Sequence, residues 1–255
     1  MTERGEIVKY HESDIERKHP FKCVTFGAAS LETRQPATGD FDGNVDVWDL
    51  ESRKNVWNVK GHTSIVNAID GVGGGALGHR NSGAPELATG SRDGTVKLWD
   101  TRIRDKPVAC MQPESGQVKR DCWTVAFGNA HNDSERMLAA GYDNGDVKVF
   151  DLRTMSLHWE QHLPNGICGL AFDRPDISKN KLAATCLEGK VHVWDMTTRH
   201  DKQGYAMLEQ RIEKSRNTVW GGRFLPQNRE VHYDLLILHT TFITTVILTS
   251  TEPFS

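Results

Sequence analysis

The sequence has no excess of either charge, no paired cysteines and no long apolar run, and each absence removes a class of protein. A formal net charge of −3 offers no basic footprint for a phosphate backbone, and the densest basic pair, Lys119 and Arg120, is followed at once by Asp121. Nucleic acid is therefore not an expected partner. Cys23, Cys110, Cys122, Cys168 and Cys186 are odd in number, widely spaced and free of any CxxC pair. That argues against a disulfide framework and a zinc site, and fits a reducing compartment. The first residues, MTERGEIVKYHESDIERKHP, lack the apolar core of a signal peptide. The apolar stretch 235–250 carries His239 and a run of threonines, and falls short of the ~20 residues a spanning helix requires. No membrane association is expected, and a cytoplasmic location is the default.

Catalytic signatures are missing as well. Gly73, Gly75 and Gly78 match GxGxxG, but that motif binds a dinucleotide only between a strand and the start of a helix. Here it runs into HRNSGAPELATG, with Pro85 and no helical apolar period, so a flexible inter-strand loop is the expectation. His158 and His162 have the spacing of HExxH, yet Trp159 stands where the glutamate belongs, on a segment that reads as a strand. No GxSxG elbow occurs, and the acidic pairs Asp40 with Asp42 and Asp143 with Asp146 fall in turn segments. No catalytic residue, metal ligand or cofactor is expected. The 37% hydrophobic and 25% charged fractions are those of an ordinary soluble globular protein.

What the chain does have is a repeat. TGDFDGNVDVWD ends at Asp49, TGSRDGTVKLWD at Asp100, AGYDNGDVKVFD at Asp151 and TCLEGKVHVWD at Asp195, so the units are 51, 51 and 44 residues apart. Inserts at 71–85 and 111–121 account for the longer intervals. In each unit an acidic or amide residue precedes glycine (Asp42-Gly43, Asp93-Gly94, Asn144-Gly145, Glu188-Gly189), which suits a tight hairpin turn. The residues that follow alternate, with packing groups on both faces, as a sheet sandwiched between neighbours requires. An aromatic recurs at Trp48, Trp99, Phe150 and Trp194. Upstream lie strand-like segments ending at Phe26, Ile69, Phe127 and Phe172, with a fifth, TVWGGRFLP, reaching Phe224. With middle strands (QPATG, PELATG, RMLAAG, KLAAT) and outer ones such as 55–60 and 155–162, each unit spells four short antiparallel strands.

These signatures resemble the WD-repeat family, and the fold class implied is an all-β, WD-repeat β-propeller. One unit carries the family's full hydrogen-bonding set, His62, Thr89, Asp93 and Trp99, which the resemblance makes a buried structural chain. KCVTFGAASL, KRDCWTVAFGNA, AGYDNGDVKVFDLR, DRPDISKNKLAATCLEGKVHVWDM and TVWGGRFLPQNRE narrow the likeness to the WD-repeat axonemal dynein assembly factors, over residues 20–230. The resemblance implies a non-enzymatic, cochaperone-associated scaffold that works with RuvB-like ATPases and prefoldin-like partners on axonemal dynein heavy chains. A generic WD-repeat adaptor, such as a ubiquitin-ligase substrate receptor, is the alternative.

Members of that family close seven blades, whereas this chain spells about four full units and parts of two. The expectation is an incomplete arc over 20–230 that leaves terminal sheet faces uncapped. A polar segment, 1–19, would carry the outer strand of a preceding blade (GEIVKYHE). An atypical apolar tail, 231–255, reads either as an alternative end or as a segment pairing as a strand, since Thr, Ile and Val favour extended structure. Trp123 and Trp220 each lie four residues before the terminal Phe of a first strand, where other units have Lys22, Ile65 and Cys168. With Arg92, Arg120 and Asp121 they make the candidate partner-binding face, because Trp and Arg are enriched at binding hot spots; burial of both indoles between blades is the competing reading.

Overall fold

The computed structural model describes residues 19–26, 35–72, 87–128, 136–173, 181–200, 204–212, 218–224, 232–239 and 243–249. The segment 1–18 and the glycine-rich stretch 73–86 lie outside them, and so do the expectations placed on GEIVKYHE and on Gly73 to Gly78.

Nineteen strands are described. The first sheet holds β1 (Phe21–Thr25), β2 (Ala37–Asp40), β3 (Asn44–Asp49) and β4 (Lys54–Lys60); the second holds β5 (Val66–Gly71), β6 (Leu87–Ser91), β7 (Val96–Trp99) and β8 (Ala109–Met111). The third is β9 (Cys122–Gly128), β10 (Met137–Tyr142), β11 (Asp146–Asp151) and β12 (Ser156–His162). The fourth is β13 (Ile167–Phe172), β14 (Lys181–Cys186), β15 (Lys190–His200) and β16 (Gly204–Arg211). A three-stranded fifth sheet joins β17 (Val219–Phe224), β18 (His232–His239) and β19 (Ile243–Thr249). Every pairing is antiparallel between consecutive strands.

The turns form as the sequence dictates. Gly94 between β6 and β7 has φ +83°, a region a Cβ would strain, and Asp93 ahead of it bonds the Thr95 N–H at 3.0 Å. Asp40 does similar work before β3, accepting the N–H groups of Asp42 at 2.9 Å and Asn44 at 2.8 Å.

The core is divided among the interfaces between sheets. Ala37, Val47, Trp57, Val66, Leu87 and Trp99 fill the first; Leu98, Cys122, Leu138 and Phe150 belong to the second. Trp159, Ile167, Leu182 and Trp194 lie in the third, and Val191, Val193 and Val219 in the fourth. Middle strands are buried on both faces, and their small residues let the next sheet come close: a Cβ on Gly141 would sit 2.6 Å from Ile167 Cγ2. Accordingly β1 neighbours β5, β5 neighbours β9, β9 neighbours β13 and β13 neighbours β17, giving blades side by side in an arc that does not close among the described residues. The tail pairs as strands: β18 continues from β17 with Phe224 opposite Leu235, and β19 pairs with β18.

Candidate partner-binding surface and the buried polar chain

The second sheet assembles a continuous polar chain from the β4–β5 link and the β6–β7 hairpin. His62, between β4 and β5, is buried; Thr89 lies on β6, Asp93 in the β6–β7 turn and Trp99 on β7. The Trp99 indole N–H donates to Thr89 Oγ1 at 2.8 Å, and Thr89 Oγ1 lies 2.7 Å from His62 Nε2. His62 Nδ1 lies 3.1 Å from Asp93 Oδ2, which also accepts the Thr63 N–H at 3.0 Å. Because the indole can only donate, the Thr89 hydroxyl is free to donate onward to His62 Nε2, leaving Nδ1–H for the carboxylate. The geometry therefore satisfies a neutral imidazole. Burial pushes His62 below its ordinary value, against the pull of Asp93. Burial pushes Asp93 upward, but bonds from His62, Thr95 and Thr63 outweigh it and hold the carboxylate well below its usual range. All four residues are consumed in holding strands together.

The other sheets keep part of this chain, delete it or redirect it. In the first, Trp48 donates to Thr38 Oγ1 at 3.1 Å and His19 pairs with Asp42, a partial set that the sequence did not advertise. His19 lies only 23 residues before its aspartate, against 31 for His62, and follows lysine rather than glycine. In the third, Ala140 and Phe150 occupy the places of Thr89 and Trp99, so the indole N–H and its acceptor vanish together. The fourth has Ala184 in the threonine position, and the Trp194 N–H finds Gln161 Oε1 of the neighbouring sheet at 2.8 Å.

His158 and His162 do not converge. The first meets the Tyr205 hydroxyl at 2.8 Å and the second Asp146 at 2.7 Å. Among the described residues no group of three His, Cys, Asp or Glu could hold a metal, and no helix is long and apolar enough to cross a membrane.

The candidate partner face is partly brought together. Arg92, in the β6–β7 turn, places Nε 3.6 Å from Asp121 Oδ2, and the turn packs against Lys119 and Arg120. Asp121 is raised by burial and by Asp143, against the pull of Arg92. Trp123 on β9 is half-buried, its ring edge close to Gly166 at the entry to the fourth sheet. Trp220 on β17 is 57% exposed. The two indoles stand on sheets separated by the fourth one, and no ring contact joins them among the described residues. Arg92, Arg120 and Asp121 thus meet at the β6–β7 turn, Trp123 turns toward Gly166, and Trp220 stands apart.

Repeated four-stranded antiparallel sheets, one of them carrying a Trp–Thr–His–Asp chain, have the form of WD-repeat propeller blades, and the model of the WD domain, G-beta repeat, matches residues 53–100, from β4 through β7. Over most of its length the chain is similar to dynein axonemal assembly factor 10 of several organisms. The Bos taurus protein is 60% identical over 219 residues, 86% of this chain and 60% of the relative. Those of Homo sapiens and Chlamydomonas reinhardtii are 59% and 56% identical, with the same coverage. The chain spans about 60% of the length of these curated relatives.

Proposed function

We propose that the chain is a non-enzymatic protein-interaction scaffold acting in the cytoplasmic preassembly of axonemal dyneins. The observation that carries the reading is the 56–60% identity to proteins named dynein axonemal assembly factor 10, from Chlamydomonas reinhardtii to Homo sapiens. The buried polar chain fits a scaffold: His62 and Asp93 are held by hydrogen bonds that tie the second sheet together. The partners are RuvB-like ATPases with their prefoldin-like cochaperones, and dynein heavy chains as the clients. The surface carrying Arg92, Arg120, Asp121 and Trp123 is the face on which one of them rests, with Trp220 as a second contact. Affinity purification of the tagged chain from ciliating cells, read by mass spectrometry, tests this. Enrichment of RuvB-like ATPases or dynein heavy chains is expected; a folded chain that enriches neither, or a cullin adaptor instead, refutes the assignment.

A further inference from the structure

The interior interfaces share one device. Val66 opens β5, Cys122 β9, Ile167 β13 and Val219 β17, and all four are fully buried. The first three lie over a glycine of the preceding sheet: a Cβ on Gly39 would sit 2.5 Å from Val66 Cγ1, one on Gly90 2.5 Å from Cys122 Sγ and one on Gly141 2.6 Å from Ile167 Cγ2. Ile69, Val125 and Leu170, three residues further along, join the same apolar clusters. On the first sheet these two register positions hold Phe21 and Val24, opposite Asp40 and Thr38.

Phe21 and Val24 are 47% and 58% exposed, and Phe26 beyond them 64%. Half of the large apolar side chains that are exposed among the described residues lie on this sheet or in its turns, Phe41, Leu50 and Val56 completing the set. Trp99, Phe150 and Trp194 are buried, whereas Trp48 in the corresponding place is half-buried, with the Phe21 ring edge-on at 6.0 Å. The first sheet packs on the second through β1 and β5, and no sheet covers its other face among the described residues. An apolar patch concentrated in this way marks a contact surface. Asp40 and Asp46, on its middle strands, are buried and bonded to Asn44 at 2.7 Å and Asn55 at 2.6 Å, so these carboxylates leave no bare charge on it.

We propose that two copies of this chain associate face to face through the first sheet, Phe21, Val24 and Phe26 of one copy packing on the same residues of the other about a two-fold axis. A patch that is apolar and free of bare carboxylates is complementary to its own image, which is what a two-fold contact requires. Packing one sheet on another is also how the blades within each copy are joined. The far side of the fifth sheet is the poorer match for this face. Leu238 holds there, opposite Gly221, the register position of Gly39, Gly90 and Gly141, so the glycine that would make room for a phenylalanine ring is missing. The contact uses none of the residues assigned to partner binding and stands apart from the scaffold reading.

Sedimentation velocity of the full chain over a range of concentrations reads its mass in solution. A monomer–dimer equilibrium is expected, with a dissociation constant raised at least tenfold by Val24→Asp and by Phe26→Asp. Both side chains are exposed in the single chain, so far-UV circular dichroism should stay unchanged; Val24→Lys replaces whichever variant does not fold. Trp220→Asp, on the fifth sheet, should leave the equilibrium where it is. A monomer at every concentration overturns the proposal, and so does a dimer that Val24→Asp and Phe26→Asp leave intact. A dimer dissolved by Trp220→Asp would put the contact at the other end of the arc, and growth beyond two copies would make it head-to-tail. Either result overturns the face-to-face pairing.

Discussion

Thr89→Val is the sharpest perturbation of the buried chain, because it keeps the shape of the side chain and removes only the hydroxyl. Two buried groups then lose their partner at once: the Trp99 N–H, now 2.8 Å from the oxygen, and His62 Nε2, at 2.7 Å. A buried polar group left without a partner costs about 1–3 kcal/mol, so the variant should lose about 2–5 kcal/mol, a large share of the roughly 5–15 kcal/mol typical of a domain. The third sheet shows the compensation: with Phe150 and Ala140 in the corresponding places, no donor is left wanting an acceptor. Trp99→Phe should therefore make loss of the Thr89 hydroxyl cheaper, with a coupling of about 1–2 kcal/mol in the double-mutant cycle. Urea unfolding followed by far-UV circular dichroism measures all four proteins, and exchange of the Trp99 indole proton reports the local bond. Additivity within about 0.5 kcal/mol, or a cost below about 0.5 kcal/mol for Thr89→Val alone, would refute the reasoning.

Other consequences follow from the same geometry. His62 and His192 both have folded values below the ordinary 6.5, burial being the first cause in each. The unfolded chain therefore binds protons more readily, and the stability these residues contribute is present above pH 6.5 and is lost as pH falls through their folded values. Urea midpoints should drop from pH 7 to pH 5, less so in His62→Gln; a flat profile in the unsubstituted chain would contradict this. Gln161→Leu strands the Trp194 N–H and should cost about 1–3 kcal/mol, most of it absent in a Trp194→Phe background, as measured by the same unfolding assay. Arg120→Glu, at an exposed side chain, should lower the recovery of assembly partners in affinity purification without moving the urea midpoint; unchanged recovery would remove that residue from the interaction.

Much of the architecture was readable because the signals are local. The Asp-Gly and Asn-Gly turns, the alternation after them and the recurring aromatic each follow from a few consecutive residues, and β3, β7, β11 and β15 lie where those residues sit. Contacts that join distant segments were less accessible. The pairing of His19 with Asp42 depends on how β1 enters the first sheet, and the Gln161–Trp194 bond crosses between sheets, so neither leaves a spacing pattern. Register alone groups Arg92, Arg120, Asp121, Trp123 and Trp220 as a candidate partner face, and of these the structure pairs Arg92 with Asp121. Trp220 shares the register of Trp123 but sits on another sheet, and equal register says nothing of distance along the arc.

All of this depends on consecutive sheets standing face to face, each interface sealed by side chains from both. Nuclear Overhauser spectra of the folded chain, with its seven tryptophans assigned, probe that directly. Cross-peaks between the rings of Trp57 and Trp99, and of Trp159 and Trp194, are the result expected from centroids 6.0 and 5.5 Å apart. A well-folded chain lacking both would contradict the stacked-sheet architecture and, with it, the surfaces assigned to partner binding.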